Sequence, residues 1–182
     1  GPQTFSAMID AIQQAEHHIH LETYIFFDDR LGHRLQDELI KKAQDGVKVR
    51  VVYDGYGSFA TAEKFFEEMR EQGVEVMAYR PLNIENIAPW RINNRDHRKL
   101  LVIDGKVAFA GGINIMESYT SSSSSNPGEK RGLEEGWRDT HVKIEGPAAH
   151  LFQRYFLDTW IRLGGDTEDG AEQLFPDVNN SG

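Results

Sequence analysis

The sequence predicts an α/β fold, and three observations carry that prediction. Along the first half of the chain, apolar residues recur at helical spacing and then at strand spacing, giving a helix–strand order that repeats. Around Asp104-Gly105-Lys106, two short apolar runs flank an Asp-Gly dipeptide, a strong signal for a tight hairpin turn. The composition, 39% hydrophobic and 27% charged over 182 residues, is that of one globular domain with a single core.

Thr4 to Ala15 places Phe5, Met8, Ile9, Ile12 and Ala15 on one helical face. His17 to Phe27 is strand-like, with Ile19, Leu21, Thr23, Ile25 and Phe27 on one side and His18, His20, Glu22, Tyr24 and Phe26 on the other. Leu31, Leu35, Leu39 and Ile40 carry a second helix that stops near Gly46. Val47 to Tyr53 then forms a strand ending at Asp54-Gly55, which completes a β-α-β unit. A helix from Thr61 to Gln72, striped by Phe65, Phe66 and Met69, returns through Gly73 to the strand Val74 to Tyr79, so the unit repeats.

Pro81 to Asp96 reads as an ordered loop, and Arg98 to Ile103 with Val107 to Ala110 forms the hairpin. Residues 120–136 include the low-complexity run Ser121 to Ser125, which cannot pack a core, so a mobile loop is expected there. Trp137 to Ile144 alternates as a strand. Pro147 opens a helix through Leu151, Phe152, Tyr155, Phe156, Trp160 and Ile161, and residues 164–182 are expected to form an irregular acidic tail. Gly1-Pro2 resembles the remnant of a cleaved tag.

The absence of cysteine excludes disulfides, thiolate metal sites and cysteine nucleophiles. No apolar run is long enough to span a bilayer, and no signal peptide is recognisable. A net charge of −9 counts against nucleic acid as a partner, because affinity for a polyanion comes largely from phosphate neutralisation. Arg91, Arg95, Arg98 and Lys99 nevertheless gather in one segment, so a small anionic group can be drawn to a locally positive site.

That segment opens the pattern H-x-K-x4-D-x6-G-G-x-N, formed by His97, Lys99, Asp104, Gly111, Gly112 and Asn114, and the pattern reads as phosphodiester chemistry. On a strand, His97 and Lys99 share a face about 7 Å apart, so both can reach one phosphate. Asp104 has the opposite parity and sits at the turn, where its geometry suits bracing the hairpin. Gly111 and Gly112 let the backbone approach an anion, and Asn114 adds a side-chain amide. A neutral imidazole is a competent nitrogen nucleophile when its other nitrogen is held as a donor. Asp139, mid-strand in Gly136-Trp137-Arg138-Asp139-Thr140-His141-Val142, is the candidate for holding it. Protonating the departing alkoxide needs an acid, so a second histidine is expected from another copy of the motif.

With the motif, His20 to Phe26, Gly46 to Arg50, Asn93 to Lys99 and Trp137 to Val142 resemble the phospholipase D superfamily, and within it the bacterial cardiolipin synthases. The resemblance covers nearly the whole chain. It implies a phospholipase D-like fold, a mixed β-sheet flanked by α-helices on both faces, with no metal and no other cofactor. It implies a phosphatidyl-histidine intermediate resolved by an alcohol. His97 is carried over as nucleophile or acid, Lys99 and Asn114 as phosphate ligands, and Asp139 as the orienter of the histidine. The implied reaction condenses two phosphatidylglycerols into cardiolipin and glycerol, and the implied location is cytoplasmic membrane-associated, at the bacterial inner membrane, with this stretch itself soluble. Such synthases carry two motifs behind membrane-anchoring helices. One motif stands here, so the sequence resembles the N-terminal catalytic half, partnered by a second half or a second protomer.

Two rival readings differ in class: a single-motif homodimeric phosphodiesterase, nuclease or hydrolase, and a non-catalytic module that binds phospholipid headgroups. The His18, His20 and Glu22 face has zinc-ligand spacing, but a polar face lining an anion pocket explains it better, with Glu22 paired to Lys99. Arg91 and Arg95 are candidates for an anionic headgroup. Ile84, Ile87 and Trp90 are candidates for bilayer contact against ordinary loop packing.

Overall fold

The computed structural model of the protein describes residues 2–81, 95–119, 139–167 and 170–177. Helix α1 (Pro2–Gln13) leads to β1 (His18–Thr23), followed by α2 (Arg30–Gln44), β2 (Lys48–Asp54), α3 (Glu63–Glu71) and β3 (Glu75–Tyr79). After these come β4 (Leu100–Ile103), β5 (Val107–Gly111), a 3-10 turn (Glu117–Tyr119), β6 (His141–Glu145), α4 (Ala149–Arg162) and α5 (Ala171–Leu174).

The six strands form one sheet in the order β3-β2-β1-β4-β5-β6. β1, β2 and β3 run parallel, as crossover helices between them require, while β4, β5 and β6 join antiparallel. The sheet is therefore mixed, and both faces are covered. Phe5, Ile9 and Ile12 of α1, Leu35 and Leu39 of α2, and Phe65, Phe66 and Met69 of α3 pack one face against Ile19, Leu21, Val51, Leu101 and Ile103. On the other face Phe156, Leu157 and Trp160 of α4 meet Val52, Leu100, Val102 and Ala108. β4 alternates between the two cores and is buried throughout. Truncating Leu101 to alanine would therefore cost about 2–5 kcal/mol.

Local chemistry ends the helices where the periodicity predicts. Asp29 caps α2 by accepting Gly32 N at 2.9 Å, and Gly46 and Gly73 follow α2 and α3 with φ of 90° and 93°, the left-handed conformation that glycine adopts without a Cβ clash. In the hairpin, Asp104 and Gly105 both take positive φ, as a type I′ turn demands.

The structure departs from expectation in four places. The first strand stops at Thr23, and the bend that follows turns Phe26 onto Phe65 and Phe66, away from the face of His20. β6 begins at His141, so Asp139 precedes the strand and does not lie within it. The tail is not irregular throughout: α5 inserts Leu174 into the second core beside α4. The β4 ladder starts at Leu100, which leaves His97 and Lys99 ahead of the strand. Ile84, Ile87, Trp90, Arg91, the Ser-rich stretch 120–136 and Trp137 lie outside the described residues.

Candidate active site

Strand direction gathers the motif. β1 and β5 end, and β4 and β6 begin, at one edge of the sheet, and β2 ends there too. Tyr24, Asp54, residues 95–99, Gly111 to Asn114 and Asp139 consequently share that edge.

His97 is exposed and Lys99 is buried. Without a strand to separate their side chains they fold together: Lys99 Nζ lies 3.1 Å from His97 Nδ1 and donates to the His97 carbonyl at 2.7 Å. The expectation of a shared strand face is corrected accordingly. Burial pulls the Lys99 ammonium down to about 8, against the opposing pull of the Asp96, Asp139 and Asp54 carboxylates. Tyr24 sits beneath both groups, its ring centroid 4.5 Å from that of His97 and 5.0 Å from Lys99 Nζ.

Asn114 reaches the same corner through the segment that follows β1. Its Oδ1 accepts Ile25 N at 3.2 Å, while Ile115 N donates to Ile25 O at 3.0 Å, so the amide presents Nδ2 as its donor end. Gly111 and Gly112 make room for the chain itself. A Cβ on Gly111 would stand 2.2 Å from Thr140 O, and one on Gly112 would stand 2.8 Å from Asp139 Cγ. The two glycines thus let the segment before β6 close over β5 and bring Asp139 to the site. Asp139 is exposed, acts on Lys99 electrostatically, and makes no hydrogen bond to His97 among the described residues.

Asp104 lies at the opposite end of β4. Its carboxylate accepts Glu16 N at 2.9 Å, His17 N at 2.8 Å and His18 N at 2.8 Å, which ties the entry of β1 to the hairpin. Glu22 does not pair with Lys99. It is buried against Arg98, with Oε1 2.9 Å from Arg98 Nη2, because Lys99 turns toward His97 while Arg98 turns across the sheet toward α4. Arg95 stacks 5.1 Å above the Tyr56 ring, donates to Arg80 O and stands 3.9 Å from Asp54, so protein groups already engage the guanidinium expected to meet a headgroup. Among the described residues of that cluster of cations, Lys99 is the one directed at His97.

Sequence reasoning missed Tyr24, Asp54, Asp96 and Thr159. Asp54 accepts Tyr56 N and Gly57 N with Oδ1 and Asp96 N at 3.0 Å with Oδ2, and so fastens the turn after β2 to the segment carrying His97. A signal existed for Asp54, an aspartate before glycine at a strand end. Nothing in the sequence marks Thr159, which comes from a helix 61 residues beyond Arg98 to accept its Nη2 at 2.6 Å. The His18 and His20 face is likewise engaged by protein, with His20 between Gln153 and Arg50.

A mixed six-stranded sheet with His97, Lys99 and Asn114 at one edge defines a phospholipase D-like domain. Its fold is similar to that of NucT from Helicobacter pylori, with a TM-score of 0.64 at 14% identity over 88% of this chain and 89% of that one. It is also similar to phosphatidylserine synthase from Haemophilus influenzae, with a TM-score of 0.64 at 16% identity over 95% of this chain and 39% of that one. The family described as "Cardiolipin synthase, PLD-like domain" matches residues 8–160. Cardiolipin synthase 1 of Bacillus anthracis is 40% identical over 164 residues, 88% of this chain and 30% of the relative. Cardiolipin synthase of Alkalihalophilus pseudofirmus is 39% identical over 179 residues, 98% of this chain and 34% of the relative. The chain belongs to the phospholipase D-like domain family of cardiolipin synthases, and it spans about a third of the length of these relatives.

Proposed function

We propose that this domain supplies one catalytic motif of a phosphatidyltransferase that makes cardiolipin from phosphatidylglycerol through a phosphatidyl-histidine intermediate. The observation that carries the reading is the Lys99 ammonium at 3.1 Å from the His97 imidazole, a cation and a nucleophile that one phosphate can engage together. A phosphate oxygen competes for that ammonium, and drawing it off Nδ1 returns the nitrogen lone pair to the imidazole.

In the first step an imidazole nitrogen of His97 attacks phosphorus and the bond to the glycerol oxygen breaks. The partner histidine, from a second motif in another half or protomer, gives its proton to that oxygen. In the second step the same histidine takes the proton from a hydroxyl of a second phosphatidylglycerol, whose oxygen attacks phosphorus and frees His97. Lys99 and Asn114 Nδ2 balance the charge on the phosphoryl oxygens; the amides expected to help them do not, since Gly111 N donates to Lys99 O at 3.3 Å and Gly112 N to Thr140 O at 3.0 Å. Asp139 acts electrostatically on Lys99, while Glu22 is held by Arg98 and Arg95 by Tyr56, Arg80 and Asp54. No metal or cofactor takes part. The membrane partner is an anionic phospholipid surface, at the bacterial inner membrane.

Lipid products are to be measured by mass spectrometry after mixing the chain with phosphatidylglycerol vesicles, beside His97→Ala. Cardiolipin and glycerol that vanish in the variant support the transferase. Phosphatidic acid in their place means hydrolysis, and DNA cleavage with a steep salt dependence would replace the lipid reading with a nuclease. Vesicle binding without turnover, equal in both proteins, would leave either a half that needs its second motif or a headgroup-binding module.

A further inference from the structure

Behind His97 lies a second cluster, built by β1, the segment before β4, and α4. Glu22 and Thr159 are buried there at 1% and 2% exposure, and Asp96 at 6%. Arg98 holds both carboxylates: its Nη2 lies 2.9 Å from Glu22 Oε1, its Nε 3.0 Å from Asp96 Oδ1, and its Nη2 3.1 Å from Asp96 Oδ2. Thr159 Oγ1 accepts Arg98 Nη2 at 2.6 Å and approaches Glu22 Oε1 at 3.3 Å. Glu22 Oε2 is left with no hydrogen-bond partner among the described residues while lying against Asp96.

Two carboxylates share one guanidinium, and a buried carboxylate oxygen beside another carboxylate has nothing to accept from. Elsewhere around Glu22, His20 on the same strand turns to Gln153 and Arg50, and Arg50 of β2 pairs with Glu75 of β3 at 3.2 Å. Tyr79 at the end of β3 acts on Arg98, and α4 contributes the Thr159 hydroxyl. Among the described residues, Arg98 is the one cation acting on Glu22. A proton on Oε2 satisfies the orphan oxygen, because the acid then donates to Asp96 and leaves Asp96 and Arg98 as a balanced pair.

We propose that Glu22 is a positioning residue that works as the neutral acid, sharing its proton with Asp96 so that Asp96 and Arg98 grip the backbone on both sides of His97. Burial first, and then the adjoining Asp96, push Glu22 up to about 9. Burial acts to raise Asp96 as well, but hydrogen bonds from Glu22 and Arg98 outweigh it and hold Asp96 below its ordinary value. That the cluster serves His97 rests on the proposed function; the shared proton does not.

The test uses Glu22→Gln, the isostere of the neutral acid, and Glu22→Ala. Glu22 has a folded pKa raised above its ordinary value, so its contribution to stability is present at low pH and is lost as pH rises through about 9. Melting curves of Glu22→Gln are therefore expected to match or exceed the wild type, by a margin that widens as pH climbs toward about 9. A variant less stable than the wild type across the neutral range would show an ionised Glu22 in a true ion pair and overturn the proposal. For positioning, Glu22→Ala is expected to lower kcat roughly 10- to 100-fold with little change in KM, and Gln to restore most of it. The same pattern is expected in the chemical shifts of the His97 imidazole, which require no turnover. Shifts and kcat untouched by Ala would sink the positioning role even if the wild type proves to be an active transferase. A silent wild type with moved shifts would uphold the positioning role and mean that the chain alone lacks the second motif or the proposed activity. If the Ala protein does not fold, the melting series of the Gln protein decides the shared proton, and Glu22→Asp, too short to reach Asp96 and Arg98 together, takes the place of Ala in the shift and kcat measurements.

Discussion

Lys99 Nζ touches both the Nδ1 and the carbonyl oxygen of His97, at 3.1 and 2.7 Å, so the cation of the site is folded back over the residue two before it. This arrangement depends on the chain leaving the ladder before Leu100, since in a strand the two side chains would stand a full pleat repeat apart. A phosphate ligand must be the ammonium form, and burial draws Lys99 down to about 8. Turnover is expected to fall as pH rises through about 8, a limb read from kcat/KM against pH. Lys99→Arg should lose that limb, because a guanidinium stays charged, while working more slowly for want of the compact ammonium. Lys99→Met should cost roughly 10²- to 10³-fold. An alkaline limb that survives in the arginine variant would belong to another group, Glu22 first.

Gly112 and Asp139 should behave as one unit. A methyl at Gly112 would stand 2.8 Å from Asp139 Cγ, so Gly112→Ala displaces the carboxylate without altering it. If Asp139 assists His97 or Lys99, Gly112→Ala and Asp139→Asn lower kcat/KM by similar factors, and the double variant is hardly worse than either. The expected coupling is about 0.5–3 kcal/mol in the cycle. Additive losses would mean that the glycine matters for its own backbone and that Asp139 acts elsewhere.

Asp104 belongs to the motif but stands at the far end of β4, accepting three consecutive backbone amides. Asp104→Ala leaves those donors without their acceptor, a loss of about 1–3 kcal/mol for each donor that water cannot reach. Urea unfolding should show the destabilisation, and phosphate binding by the folded protein should be unchanged. A fall in binding at full stability would return Asp104 to the chemistry.

The chain order and strand directions were readable because they rest on local signals: the apolar stripe of α2, the glycines after α2 and α3, and Asp104-Gly105 at the hairpin. His97, Lys99 and Asn114 were readable because their types and spacing form one pattern. What the sequence hid was set by tertiary packing. Arg98 was read with Lys99 as one of the cations of a locally positive site, yet its partners Glu22 and Thr159 are 76 and 61 residues away in opposite directions along the chain. Alternation assigned Phe26 to the histidine face because no local residue announces the bend after Thr23. The pairing of Glu22 with Lys99 failed for the same reason: facing across a sheet fixes which side a residue occupies, but the side chain's rotamer chooses its partner.

The histidine face of β1 makes an acid-lability prediction. His20 is fully buried, stacked 4.4 Å from the Phe156 ring, 4.6 Å from His18 and 3.3 Å from Arg50 Nη1, with Gln153 at its other nitrogen. Burial, then His18 and Arg50, hold its pKa well below 6.5, while the Gln153 hydrogen bond opposes them weakly. A histidine depressed in the folded state binds its proton more readily when unfolded. Its stabilising contribution is therefore present above the ordinary value and is lost as pH falls below 6.5. Urea midpoints should decline from neutral pH downward, and His20→Gln, though less stable at pH 7 for loss of the stacked ring, should decline less. His141, brought down to about 4 mainly by burial, loses stability with the same sign over the same range, so His141→Gln is the necessary control. An acid slope unchanged by the His20 substitution and removed by the His141 substitution would move the lability from the buried cluster of β1 to β6 at the sheet edge.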